Sequence, residues 1–261
     1  MELRARPQWG CVDFISDLHL QEQEMQTFTA WAAYMDSTAA DAVFILGDLF
    51  EVWVGDDVLV DANTFEAQCA AVIARTARRC TVYIMHGNRD FLMGQTLMQR
   101  CGATSIDDPT VLEYAGKRWL LAHGDAQCLD DLAYQQFRVQ VRNPQWQHDF
   151  LVKPLDERQS LARNMRQQSE AKKLQTADYA DVDYAAAIQL LEAHHATCMI
   201  HGHTHRPGRH PLGENLERVV LSDWDLGAHP ARADVLRIEA TPGGAGHLKR
   251  ISPLTASTLS D

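Results

Sequence analysis

The chain has 261 residues, with 24 Lys and Arg against 35 Asp and Glu, for a formal net charge of -11 at pH 7. That length suits one large α/β domain with a substantial core. The acidic balance argues against a nucleic-acid groove, which needs a Lys/Arg excess to neutralise phosphates. No stretch approaches the roughly 18 uninterrupted apolar residues that span a bilayer, and the start, MELRARPQWG, has no apolar signal segment, so a soluble or peripheral protein is expected.

Through the first half, short β-branched and aromatic runs alternate with helical spacings. CVDFI (11–15), AVFIL (42–46), TVYIM (81–85) and RWLLA (118–122) read as buried strands. Between them Met25, Phe28, Ala32 and Met35 recur at helical spacing, as do Phe65, Cys69, Val72 and Thr76. Strands alternating with helices predict a mostly parallel sheet covered on both faces. From about Gln127 the strand signals stop. Leu129, Ala133, Phe137 and Val141 step by four, a helix that Asn143-Pro144 would end, and Leu161 with Met165 marks another. Pattern alone serves a helical insertion or surface helices on the core about equally well. The sheet pattern resumes with a helix near Tyr184 to His194, then TCMI (197–200), RVVL (218–221), ADVLRIEA (233–240) and HLKRI (247–251). TPGGAG between the last two suits a hairpin, and the tail SPLTASTLSD is expected to fray. The six scattered cysteines form no C-x-x-C pair and read as buried free thiols in a reducing cytosol.

Five short motifs follow these runs: SDLHL with Asp17 and His19, GDLF with Asp48, GNRD with Asn88, HGD with His123, and HGHTH with His203 and His205. Each stands where the carboxyl end of a strand opens into a loop, the edge at which open α/β sheets bind ligands. A Gly-Asp after a strand is ordinarily a turn, and a lone His is ordinarily satisfied in a core. Five such motifs together point instead to a dinuclear metal site. In an extended backbone, residues i and i+2 face the same side, so Asp17 with His19, and His203 with His205, would each chelate one cavity. Mixed oxygen and imidazole donors without thiolates suit manganese, iron or zinc in a non-structural site.

The sequence here resembles the calcineurin-like metallophosphoesterases, whose signature runs D-x-H, G-D, G-N-H-D/E, H, G-H-x-H. The resemblance implies an α/β sandwich of two mixed β-sheets flanked by helices. It gives a core in two parts, 1–126 and 179–261, around a helical cap insertion at 127–178. It also implies that Asp17, His19, Asp48 and His205 hold one divalent ion and Asp48, Asn88, His123 and His203 the other, with Asp48 bridging. Two such ions about 3.5 to 4 Å apart clamp the attacking and departing oxygens of a phosphorus ester or anhydride.

Where that signature has a histidine, this chain has Arg89. A histidine can protonate a leaving alkoxide. Arginine cannot give up a proton at physiological pH but can hold two phosphate oxygens. That combination suits a leaving group that is itself a phosphate, hence a pyrophosphate bond. The ordinary alternative is a structural salt bridge. FISDLHL, ILGDLFEVWVGDD, HGNRDFLMG, HGD and IHGHTHRP together look like the UDP-2,3-diacylglucosamine hydrolases of lipid A synthesis. That resemblance implies cleavage of the lipid pyrophosphate to UMP and 2,3-diacylglucosamine 1-phosphate, with two metal ions, usually Mn2+. It implies Asn88, Arg89 and His123 as catalytic residues, and substrate contacts from Asn88, Arg89, Asp131, Tyr134, Arg166, Ser169 and His203. The family's downstream Asn and Lys are absent, and Lys172 or Lys173 would supply that cation from a shifted position. The implied partner is the UDP-diacylglucosamine lipid, met at the cytoplasmic face of the inner membrane, with no nucleic acid and no obligate protein partner. A nucleotide or dinucleotide pyrophosphatase, or a metal-binding module without turnover, would share the same motifs.

Overall fold

The computed structural model describes residues 1–173, 181–241 and 246–253, except for the side chains of 167–173. Ser169, Lys172 and Lys173 therefore have only their backbone described, and the hairpin turn at 242–245 and the tail from 254 lie outside the described residues.

The first part runs β1 (Glu2–Arg4), β2 (Cys11–Ile15), α1 (Met25–Ser37), β3 (Ala42–Leu46), α2 (Phe65–Thr76), β4 (Thr81–Met85) and α3 (Gln95–Cys101). Next come β5 (Thr104–Ile106), β6 (Thr110–Tyr114), β7 (Lys117–Ala122), α4 (Leu132–Val141), α5 (Pro144–Leu151) and α6 (Leu155–Lys173). The chain closes with α7 (Tyr184–Ala193), β8 (Cys198–His201), β9 (Gly208–Pro211), β10 (Glu217–Val220), β11 (Val235–Ala240) and β12 (Gly246–Ile251). Polar side chains set the helix starts: Thr64 accepts from the Ala67 amide at 3.1 Å, Asp131 from Tyr134 at 2.9 Å and Asp183 from Ala186 at 2.7 Å. Asn143 accepts from the amides of Gln145 and Trp146 with Pro144 in the first turn, so the dipeptide expected to end one helix also begins α5.

The sandwich of two mixed sheets that the resemblance implies is borne out, and the single mostly parallel sheet read from the strand–helix alternation is corrected: there are two six-stranded mixed sheets, ordered β1-β6-β7-β8-β10-β9 and β12-β11-β2-β3-β4-β5. Strand alternation explains the split. Val12 and Phe14 point between the sheets with Phe44, Trp119, Ile200 and Ile238, while Cys11 and Ile15 point outward under α1 and α2. Both faces of β2 are thus apolar, which the run CVDFI shows but cannot apportion. Phe14, Phe44 and Tyr83 stack in the inner layer with centroids 5.2 and 4.7 Å apart. On the far face of the other sheet, α7 buries Ala187 and Leu191 against Leu120 and Met199. All six cysteines are free, and all but the half-buried Cys80 are buried. β2, β3 and β4 lie parallel in one sheet, β7 and β8 parallel in the other. The loops that leave them meet across the top of the sandwich.

Candidate metal centre

These loops carry unusual backbone. Asp17, His19, Asp48, His203 and His205 all have φ between 46° and 65°, five of the eight non-glycine residues with positive φ among those described. Left-handed backbone is uncommon for such residues and persists where surrounding contacts enforce it. Here the Asp17 amide donates to the Gly47 carbonyl at 3.1 Å, the His19 amide to that of Asp48 at 3.0 Å, and the His203 amide to the Asp17 carboxylate at 2.9 Å. The glycines of the motifs serve close approach: a Cβ on Gly87 would lie 2.1 Å from Asp48 Oδ1, and one on Gly202 2.1 Å from Asp17 Oδ2.

Asp17 and His19 share one group, whereas the expected pairing of His203 with His205 is corrected: the two turn to different neighbours. His205 Nε2 faces Asp17 Oδ1 and His19 Nε2, each at 3.4 Å. His203 Nδ1 faces Asn88 Oδ1 at 2.9 Å, and His123 Nε2 meets the same oxygen at 2.9 Å. Asp17, His19 and His205 hold ligand atoms within 4.8 Å of one another, and so do Asp17, Asp48 and His123. By distance it is Asp17 that belongs to both groups, while Asp48, the bridging residue that the resemblance implies, falls in one of them.

A cation fits this donor set. His123 Nε2 and His203 Nδ1 both converge on Asn88 Oδ1 at 2.9 Å, beside the carboxylates of Asp17 and Asp48. With His123 Nδ1 donating to the Leu46 carbonyl at 2.9 Å, the neutral ring would present its Nε2 lone pair to a bound cation; without one, the protonated ring donates from Nε2 to Asn88. Burial opposes charge on His123, but Asp48, Asp125 and Asp17 together raise it to about 9. Burial and then His123 lower His203 to about 4. Burial would raise Asp17, yet the surrounding imidazoles, His205 foremost, hold it well below the usual carboxylate range.

Arg89 lies at the edge of the two groups. Its amide donates to Asp48 Oδ1 at 2.9 Å, its Nε is 3.5 Å from Asp48 Oδ2, and its Nη1 binds Glu51 Oε1 at 2.7 Å. Arg166 of α6 pairs with the same Glu51 oxygen. A cleft of about 730 Å³ opens beside them, lined by Leu18, Leu20, Val52, Trp53 and Trp224 together with Arg163 of α6. Tyr134 of α4 places its ring 6.0 Å from that of His203, with its hydroxyl on Asp125. Asp131 is exposed and caps α4.

Four residues that shape the site were not assigned a site role from the sequence. Asp90 accepts from the amides of Gly87 (2.7 Å), Leu49 (2.7 Å) and Phe50 (3.3 Å), tying the Asp48 and Asn88 loops together; burial and Asp48 push it up to about 7. Asp125, the last residue of HGD, is fully buried and carries Tyr134 and Arg138. Glu51 joins His19, Arg89 and Arg166. Asp223 stands 3.6 Å from His205 Nδ1. The first three sit within quoted motifs, and Asp223 follows β10 just as the motif residues follow their strands.

Residues 12–207 match the family described as calcineurin-like phosphoesterase. The chain is similar to proteins named UDP-2,3-diacylglucosamine hydrolase: 47% identical to that of Chromobacterium violaceum, covering 83% of this chain and 91% of the relative. For Marinobacter nauticus the identity is 43% over 81% and 88%, and for Hahella chejuensis 42% over 85% and 92%. With the loop-end Asp, Asn and His residues gathered as above, the chain belongs to the calcineurin-like phosphoesterases and, within that metal-dependent hydrolase family, to the group of the UDP-2,3-diacylglucosamine hydrolases.

Proposed function

We propose that the protein hydrolyses the pyrophosphate bond of UDP-2,3-diacylglucosamine to UMP and 2,3-diacylglucosamine 1-phosphate, using two divalent ions, manganese by family habit. The relatives carry that substrate in their names. The observation that carries the reading for this chain is the position of Arg89 and Arg166. Both guanidinium groups meet at Glu51, beside the imidazoles and on the wall of a cleft with aliphatic and indole surface. A charged head with acyl chains needs both features in one place.

Asp17, His19, Asp48 and His205 would hold one ion, and Asp48, Asn88, His123 and His203 the other. When bound, the ions supply an activated water and offset phosphate charge. Arg89 keeps its proton, so it binds and orients phosphate oxygens and cannot act as the acid; a phosphate leaving group needs none. Tyr134 and Arg166 contact substrate from α4 and α6, Asp131, Ser169 and Lys172 add polar groups from the same segment, and residues 127–178 act as a cap. Exposed Leu132, Val139 and Val152 on and beside α4 and α5 support peripheral contact with the cytoplasmic face of the inner membrane. No described helix is long and apolar enough to cross a membrane.

Hydrolysis rates on UDP-glucosamine lipids with and without acyl chains test the proposal. Strong preference for the diacylated substrate is expected. Equal rates would discard the lipid assignment in favour of a general nucleotide-sugar pyrophosphatase, and no turnover with any pyrophosphate in manganese would leave a binding module.

A further inference from the structure

We infer that Asp223 is a positioning residue for His205, and Glu51 for His19, which makes the Asp17–His19–His205 group the first and tighter of the two cation positions. The inference rests on the dinuclear reading above. His205 and His19 turn their Nε2 atoms toward each other, and both Nδ1 atoms face carboxylates: Asp223 Oδ2 at 3.6 Å and Glu51 Oε2 at 3.4 Å. Neither approach is a hydrogen bond, so each carboxylate acts through its charge: it favours the tautomer with the proton on the rear nitrogen and makes the forward nitrogen a stronger donor. In the other group, the rear nitrogen of His123 has only a main-chain carbonyl, that of Leu46. A neutral carbonyl polarises the ring less than a carboxylate does.

Neither carboxylate is incidental. Asp223 is 4% exposed, and Arg232 grips both its oxygens, Nε at 3.1 and 3.0 Å and Nη2 at 2.8 Å. The next amide, that of Trp224, donates to the Asp17 carbonyl at 3.0 Å, so one short segment sets the ligand Asp17 and backs the ligand His205. Glu51 is held in turn by Arg89 and Arg166. These arginines hold both carboxylates in place while offsetting the repulsion they would add to a site already crowded with acids.

The test titrates metal-free protein with manganese chloride alone, by calorimetry and by the loss of the free-ion paramagnetic resonance signal. Two binding events of different affinity are expected. Asp223→Asn, nearly isosteric, should weaken the tighter event by about 10- to 100-fold and leave the weaker one in place. Glu51→Gln should act on the same event. Asp225→Asn, which also meets Arg232 at 3.1 Å, should change neither, separating the effect from disturbance of the arginine. Nitrogen-15 spectra of the imidazoles give a readout independent of affinity: His205 should hold its proton on Nδ1 in the parent and become a tautomer mixture in Asp223→Asn. Two unchanged events, an effect confined to the weaker one, or an unaltered tautomer would overturn the inference while the dinuclear reading stands. A parent protein that takes up no manganese would overturn both.

Discussion

Arg89 is held by two different acids, with its amide on Asp48 and its guanidinium on Glu51. Truncation to alanine keeps the amide bond and removes only the guanidinium. Arg89→Ala should therefore lose about 100-fold or more in turnover, the range for removing one preorganised donor, with metal content by elemental analysis unchanged. Full activity in that variant would remove the argument about the leaving group. A second residue stores a measurable cost. Burial, then the neighbouring Asp125, raises Asp108 to about 6, and its Oδ2 has no hydrogen-bond partner. A carboxyl with a raised folded pKa destabilises fully above that value, where both states are ionised, and the cost fades as pH falls from about 6 toward about 4 and the folded state takes up the proton. Asp108→Asn should thus stabilise by on the order of 2 kcal/mol at pH 8, with the gain shrinking in denaturant titrations at pH 4.5. A gain independent of pH would contradict this.

At the scale of elements, α4 and α6 are fastened to the loops of the site by arginines. Arg138 and Tyr134 grip Asp125, Arg142 donates to the Gly87 carbonyl at 2.8 Å, and Arg158, 2% exposed, binds the Val54 carbonyl and Asp57. Gly55 exists for this docking, since its φ of 131° favours glycine and a Cβ there would strike Arg158. Removing Arg158 leaves the buried Val54 carbonyl without this donor, at a cost of about 1–3 kcal/mol, while half-exposed Asp57 is solvated. Arg158→Ala should loosen α6, so that KM for the acylated substrate rises about tenfold or more, kcat falls less, and limited proteolysis cuts near Lys153. An unchanged KM would mean that α6 does not help to hold substrate. Helix positions in this region were readable from step-of-four spacing, but α5 was not, because eight residues give too few repeats for periodicity to show.

Over the whole molecule, a chain of net charge -11 gathers Asp17, Asp48, Asp90 and Asp125 in one buried place. Divalent ions that bind only the folded state stabilise it by mass action, about 2.7 kcal/mol at a hundred times Kd. Chelation should abolish turnover and lower Tm by several degrees, both restored by manganese; an identical Tm with and without chelator would show that no ion is held. The loop-end motifs, the inner strands and the flanking helices were legible in the sequence because each rests on residues near in the chain: turn glycines, apolar runs, helical spacing. β1, β5, β6 and β9 were not, being three to five residues long and defined by their partners. So the sequence alone determined which residue types stand at the strand ends, and with them the class of chemistry. Only the tertiary structure decided which apolar runs fall in which of the two sheets and which face of each strand turns inward, and that Glu51, Asp90, Asp125 and Asp223 stand beside the loop-end motif residues. Those facts depend on contacts such as that of Asp223 with His205, or Asp90 with Leu49, between segments that meet only after the sheets have packed, and on left-handed backbone that loop-to-loop hydrogen bonds impose on residues which do not prefer it.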